Sequence, residues 1–289
     1  MWEPVAVAIL APLVWMALDL AVPGLVATRV EAWLGEPIYL DPSTALLAVV
    51  VGFLAAIGPV WKISRYLGTY AHEIGHATVG ALIGANLDDV RIHADSSGLA
   101  VYRIPASWGR LRHCMVAAAG YPAPGVVGCA TTAAVAAGYS RAWLAYMTVV
   151  IAIVVLLQVR NLWGVFSGIG IVAAGYALTR QPLLDLVPAV TLALGVTLHV
   201  AGIRQARILG KSLAYIGDSD AHQLSHWGWL PARFWSLLFL LTALATSWFS
   251  WNRISPILGV EAVPSLADLE GIVNDLLRWF DERIGSLTA

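Results

Sequence analysis

The sequence predicts an all-α polytopic membrane protein of about six to eight transmembrane helices, with a small β-hairpin inserted after one of them. Three observations carry that reading. Of the 289 residues, 59% are hydrophobic and only 12% charged, and the mean hydropathy is +0.74, whereas a soluble domain is about half apolar and a quarter charged. Apolar runs close to the roughly 17–25 residues that cross a bilayer recur from end to end. One polar stretch after the third run alternates with a period of two instead of 3.6.

Taken in order, candidate spans fall at about 5–28, 45–61, 64–85, 113–138, 143–159, 163–179, 183–203 and 230–250. The first opens with Glu3 where a secretory signal would carry basic residues, and no small-residue cleavage site follows. It is therefore expected to be a retained span. Pro12, Pro23, Pro122, Pro124 and Pro188 lie inside apolar runs, where neighbouring helices can satisfy the freed carbonyls.

In "NLDDVRIHADSSGLAVYRIP", Val90 and Ile92 alternate with polar residues, and so do Leu99 and Val101 after "DSSG". That pattern gives a β-hairpin over 88–104, turning at Asp95–Gly98. In the tail, Leu266, Leu269, Ile272, Val273, Leu276, Leu277, Phe280 and Ile284 keep helical spacing with acids opposite. Ser265 would be the N-cap, with Asp268 at N3. The chain thus divides into a membrane-embedded domain, 1–251, and an amphipathic helical tail, 252–289.

A net charge of −1 with no long basic block argues against a nucleic-acid partner. Cys114 and Cys129 are placed on one helix about 22 Å apart, too far for a disulfide. With strictly alternating spans, one face collects Arg29, Arg91, Arg103, Arg110, Arg112, Arg160, Arg204, Arg207, Lys211 and Arg233. The other holds Lys62, Arg65, Arg141, Arg180 and Arg253. The first face is assigned to the cytoplasm, together with the hairpin and the 204–229 loop.

The chemistry is concentrated in "YLGTYAHEIGHATVGALIGAN". His72 and His76, at i and i+4, share one helical face and can bind a single zinc ion. Glu73 is placed to take a proton from a metal-held water, the arrangement of the metalloprotease pattern H-E-x-x-H. Ionisable groups inside a span cost at least about 2.5–3.5 kcal/mol each, so their presence there points to function.

"AHEIGHATVGALIGANLDDVRIHADSSGLAVYR", with "AAAGYPAPGVVG", "VRNLWG" and "GDSDAHQLSHWGWLPARFW", resembles the site-2-protease-like intramembrane zinc metalloproteases, peptidase family M50, in its M50B-like branch. The likeness covers roughly residues 45 to 250. It implies a zinc enzyme that cleaves membrane-embedded helices, with His72 and His76 as ligands and Glu73 as the catalytic base. It also implies a third ligand, usually an aspartate. Better-known members take it from an Asn-Pro-x-x-Asp-Gly or Leu-Asp-Gly segment, and no Asp-Gly pair occurs here. The candidates are Asp220, Asp218, Asn161 and Asp185; the Ser-Asp-Ala tripeptide of the branch favours Asp220. Asp218, His222 and His226 share a helical face that could ligate or support a metal, although a solvated polar face is the simpler reading for the two histidines.

Asn161 would also serve as a hydrogen-bond partner for an unwound substrate backbone. His93, His113 and His199 are expected to be structural. The hairpin strands, near Val90–Ala94 and Leu99–Arg103, could pair with an unwound substrate by β-augmentation. Gly120, Gly125 and Gly128 would let their span pack closely on the motif helix. Tryptophans near span ends, such as Trp61, Trp163 and Trp229, read as interfacial anchors.

The expected protein is a multi-pass enzyme of the cell membrane, with the bacterial plasma membrane as the expected location. Its substrate would be a membrane-anchored protein and its cofactor Zn2+. No PDZ-like or nucleotide-binding domain is visible, which leaves gating to the spans, the tail, a regulatory membrane partner or a second copy. The rival readings are a zinc-dependent membrane hydrolase of a lipid or small amide, and a non-catalytic membrane binder or transporter on the same fold.

Overall fold

A computed structural model of the chain describes residues 37–103, 109–183, 185–214, 217 and 219–260. The span expected at 5–28, most of the tail and Asp218 lie outside the described residues. The described chain forms helices α1 (Pro42–Ile57) and α2 (Trp61–Leu82), then strands β1 (Asn86–Ile92) and β2 (Gly98–Arg103). Helices α3 (Arg110–Ala119), α4 (Ala123–Ala136), α5 (Ser140–Leu157), α6 (Leu162–Thr179), α7 (Leu186–Ser212), α8 (Asp220–Trp227) and α9 (Ala232–Ile254) follow.

Local chemistry sets the helix ends. Asp41 caps α1 by accepting from the Ser43 and Thr44 N–H groups at 3.0 Å each, with Pro42 already in the first helical turn. Gly58 and Pro59 then stop α1, and α2 sets off at 92° to it. Gly120 to Pro122 break the next apolar run in the same way, and α3 and α4 meet at 53°. The runs expected as separate spans at 45–61 and 64–85 are therefore the arms of one bent pair. The run expected as one span at 113–138 is broken. Cys114 and Cys129 consequently sit on different helices, and both are free thiols.

Among the described residues, α5, α6, α7 and α9 are long and apolar enough to cross a bilayer, or six spans if each bent pair counts as one. This is a multi-pass helical membrane protein with a small two-stranded sheet. The bend also changes the charge map. Arg204 of α7 donates to the Ala56 carbonyl at the end of α1 (2.9 Å) and lies 4.3 Å from the centroid of the Trp61 ring. Lys62 and Arg65, at the start of α2, therefore share the Arg204 end of the bundle, not the opposite face that strict alternation gave them.

Helix α7 is the centre of the bundle, with α1, α4 and α9 packed on it. Small residues allow that closeness: a side chain at Gly52 would strike the Ala193 backbone, and one at Gly125 would strike Thr246 of α9. Helices α5 and α6 form a separate pair. Between that pair, α2 and α7 lies an apolar cavity of about 570 Å³, bordered by Tyr70, Ile74, Met147, Phe166 and Leu198.

The hairpin is where the sequence placed it. Val90 faces Ala100 and Ile92 faces Gly98. The turn is fixed by Asp95, whose carboxylate accepts from the Ser97 N–H (2.9 Å) and hydroxyl (2.7 Å), while Ser96 takes a φ of 63°.

The hairpin lies lengthwise on α2. The Tyr66 hydroxyl donates to Ala94 O (2.7 Å), Thr69 to Ser96 O (2.8 Å), Gly98 abuts the Glu73 carboxylate, and the Tyr102 ring covers Gly80.

The far edge of β1 is filled. Val90 donates to Gln158 O (2.9 Å) and accepts from Arg160 N (3.2 Å). Asn161 then clamps Ile92 with both ends of its amide: Oδ1 accepts from Ile92 N (3.1 Å) and Nδ2 donates to Ile92 O (2.6 Å). Asn161→Ala leaves two backbone groups of fully buried Ile92 without partners, a loss of roughly 1–3 kcal/mol. The expected outcome is a lower midpoint of thermal unfolding and a hairpin more readily cut by added protease in detergent, with the helical circular dichroism unchanged.

Candidate metal centre

Helix α2 presents His72, Glu73 and His76 on adjoining faces, with Glu73 and His76 at 4% and 7% exposure. The third contributor arrives from the far end of the chain. Between α7 and α9 the short helix α8 docks through Ala221 and Leu224 onto Ala117 of α3, Leu209 of α7 and Phe239 of α9. That docking turns Asp220, at the first position of α8, toward α2.

Its Oδ2 lies 3.3 Å from His72 Nε2 and 3.1 Å from His76 Nε2, and the two nitrogens are 3.1 Å apart. Among the described residues this is the one group of three or more His, Cys, Asp or Glu side chains that converges closely enough to hold a metal ion. Of the alternatives, Asp218 lies outside the described residues, Asn161 is committed to Ile92, and Asp185 stands at the start of α7. His222 bonds Ser219 within the first turn of α8 (2.9 Å), and neither it nor His226 joins the cluster.

The three atoms fit a cation. The Val116 carbonyl, which can only accept, lies 2.7 Å from His76 Nδ1, so Nδ1 carries the proton and neutral His76 turns a lone pair inward from Nε2. Asp220 Oδ2 is buried and has no donor of its own. Lone pairs facing one another at this separation repel unless a proton or a metal ion lies among them. Zinc bonds of about 2.0–2.1 Å set the edge of a coordination tetrahedron at about 3.3–3.4 Å. The observed triangle is thus close to one face of a zinc site with its fourth corner open.

Several contributors carry no signature in the sequence. A side chain on Gly120 would collide with the imidazoles of both His72 and His76, and one on Gly98 would collide with the Glu73 carboxylate. Tyr121 meets the His72 ring edge-on at 4.8 Å and stacks on Phe239 at 4.8 Å, which orients His72. The Ala100 N–H of β2 faces the Glu73 carboxylate. Only the Gly-Tyr-Pro punctuation around Gly120 could have drawn attention to any of these in advance.

The Peptidase M50B-like family model matches residues 44–250, a stretch that includes every residue of this site. The chain belongs to the M50B-like peptidase family. This is a family of membrane metallopeptidases, and the matched segment runs from α1 through almost all of α9. No curated protein and no solved structure matches the chain. In this M50B-like chain the matched segment holds the His-Glu-x-x-His helix, the hairpin laid on it and the aspartate from α8.

Gly120→Ala would push a methyl group into the two imidazoles while remaining compatible with a helix. Zinc affinity is expected to fall by about tenfold to a hundredfold, the range seen when metal ligands lose their orientation. Metal titration of the purified protein, with circular dichroism to show that the helices persist, checks this.

Proposed function

We propose that this protein is an intramembrane zinc metalloprotease of the site-2 type, hydrolysing peptide bonds in or near the transmembrane segments of membrane-anchored substrates. The observation that carries the reading is the meeting of His72, His76 and Asp220 beside Glu73 in a bundle otherwise built from apolar helices. The three side chains would hold zinc, which supplies Lewis acidity and brings the pKa of a bound water to about 7. Glu73 would take the proton of the attacking water and return it to the leaving amine.

The hairpin supports a peptide substrate over a lipid one. A helical segment cannot offer its carbonyl to a nucleophile while its backbone is bonded within the helix, so the substrate must unwind and be held extended. Strand β1 has both edges taken, by β2 and by residues 158–161. Among the described residues strand β2 has no second partner strand; its Ala100 N–H faces Glu73, and it is the strand left for β-augmentation. The sequence had offered both strands for that role. The bacterial plasma membrane is the proposed location, with the Arg204 end of the bundle in the cytoplasm.

The test is zinc content and cleavage measured side by side on metal-replete protein. Glu73→Gln is expected to keep zinc near one ion per chain and to lose cleavage of a membrane-spanning substrate by at least about a hundredfold, in line with the loss of a general base. Asp220→Ala is expected to lose both. Wild-type protein without zinc would overturn the reading, and full occupancy in Asp220→Ala would move the third ligand elsewhere.

A further inference from the structure

On the outer side of the α7–α9 junction lies a groove of about 340 Å³ whose rim carries Arg207 and Lys211 from the last turns of α7 and Arg233 from the first turn of α9. All three are exposed, and no ion pair is formed by any of them among the described residues. Among the described residues no carboxylate lines the groove; its floor is Ala206, Leu213 and Leu240, with the buried Ser236 at its base. The start of α9 has no side-chain cap, so its free N–H groups add positive potential. Below the groove α9 turns Leu237, Leu241 and Leu244 outward, each about half exposed, as a lipid-facing helix does.

We propose that this groove binds the headgroup of an acidic phospholipid, its phosphate bridging Arg207 and Lys211 to Arg233 and its acyl chains running along α9. Charge complementarity at the level where apolar surface begins favours that occupant; basic pockets between helix ends on the cytoplasmic side are suited to anionic headgroups. The three cations stand on the end of the bundle already rich in arginine, and the inner leaflet is the anionic one.

The site has a further consequence, which rests on the proposed role of Asp220. The two helix ends it joins are those between which α8 is strung. Ala206, Leu213 and Leu240 belong both to the groove floor and to the apolar cluster on which α8 docks. A bound headgroup would hold those ends at a fixed separation and so hold Asp220 against His72 and His76.

The experiment uses the full chain in nanodiscs of phosphatidylcholine with or without one-fifth phosphatidylglycerol, reading retained lipid by native mass spectrometry and zinc content in parallel. Wild type is expected to retain phosphatidylglycerol selectively, and millimolar inorganic phosphate should not displace it. Arg207→Gln, Lys211→Gln and Arg233→Gln together should weaken retention by roughly a hundredfold, about fivefold for each cation near an anionic surface. Arg207→Lys with Arg233→Lys should restore most of it, and Arg180→Gln should change nothing.

Equal retention of phosphatidylcholine by wild type, or displacement by free phosphate, would overturn the proposal even if no glutamine variant folds. Undiminished retention by a folded triple variant would overturn it as well. Because lipid retention is read without reference to cleavage, an inactive or zinc-free protein that still selects phosphatidylglycerol leaves the lipid site standing and sinks only the protease reading.

Discussion

The approach of Asp220 to the two imidazoles of α2 is the contact on which the rest of the architecture depends. His72 and His76 are delivered by one helix and need no tertiary fold to be neighbours. Asp220 comes from a segment more than 140 residues later in the chain, and it reaches them only because α8 is docked on α3, α7 and α9. Much of the bundle serves that meeting. Gly120 clears space for the rings, Val116 fixes one tautomer, Tyr121 props the other ring against Phe239, and the close contacts of α4 and α9 with α7 set the distance α8 must span. Burial in an apolar surround is what gives the contact its force, since a carboxylate and two imidazoles held together in a dry interior need a proton or a metal ion between them.

A second arrangement, the hairpin laid along α2, brings polar backbone to this site without exposing it to lipid. Irregular or extended backbone at membrane depth is tolerated where protein covers it. Here α2 covers one side through Tyr66, Thr69 and Gly80, and residues 158–161 cover the other. Asn161 is the economical part of this design, because a single side-chain amide continues the ladder for one residue beyond the bridge at Val159 and stands in for a further strand.

The fold class, the hairpin with its turn and the pair of histidines with Glu73 were legible because each is written in a local period: 3.6 residues, two residues, or i and i+4. Asp220 was legible only through the resemblance of its Ser-Asp-Ala setting, since nothing within α8 marks it apart from Asp218. Asn161 was misread as a group awaiting substrate because its partner, Ile92, is 69 residues away. The bends at Gly58–Pro59 and Gly120–Pro122 were visible as glycine and proline, yet whether such a pair ends a span or folds it back depends on what the next helix packs against. Gly120 was legible as a point of close packing on the motif helix, but not as the clearance for its two imidazoles, and Gly98 was legible only as part of a turn; the contribution of each is the absence of a side chain, and only the position of a neighbour gives that meaning.

The right angle between α1 and α2 sets where along the bilayer normal the chemistry can occur. Helix α1 runs beside α7, so α2 passes crosswise over the bundle, meeting α4 and α6 near their first residues at Gly75–Ala123 and Tyr70–Gly164. A helix lying across the spans keeps its successive turns at nearly one depth, whereas an upright one would distribute them over some 30 Å. His72, Glu73, His76 and the β2 edge therefore lie at nearly one level, and a segment presented to them is sampled there. On the proposed function, selection then follows the height at which a helix comes apart more than the identity of its side chains, and membrane thickness becomes part of the specificity.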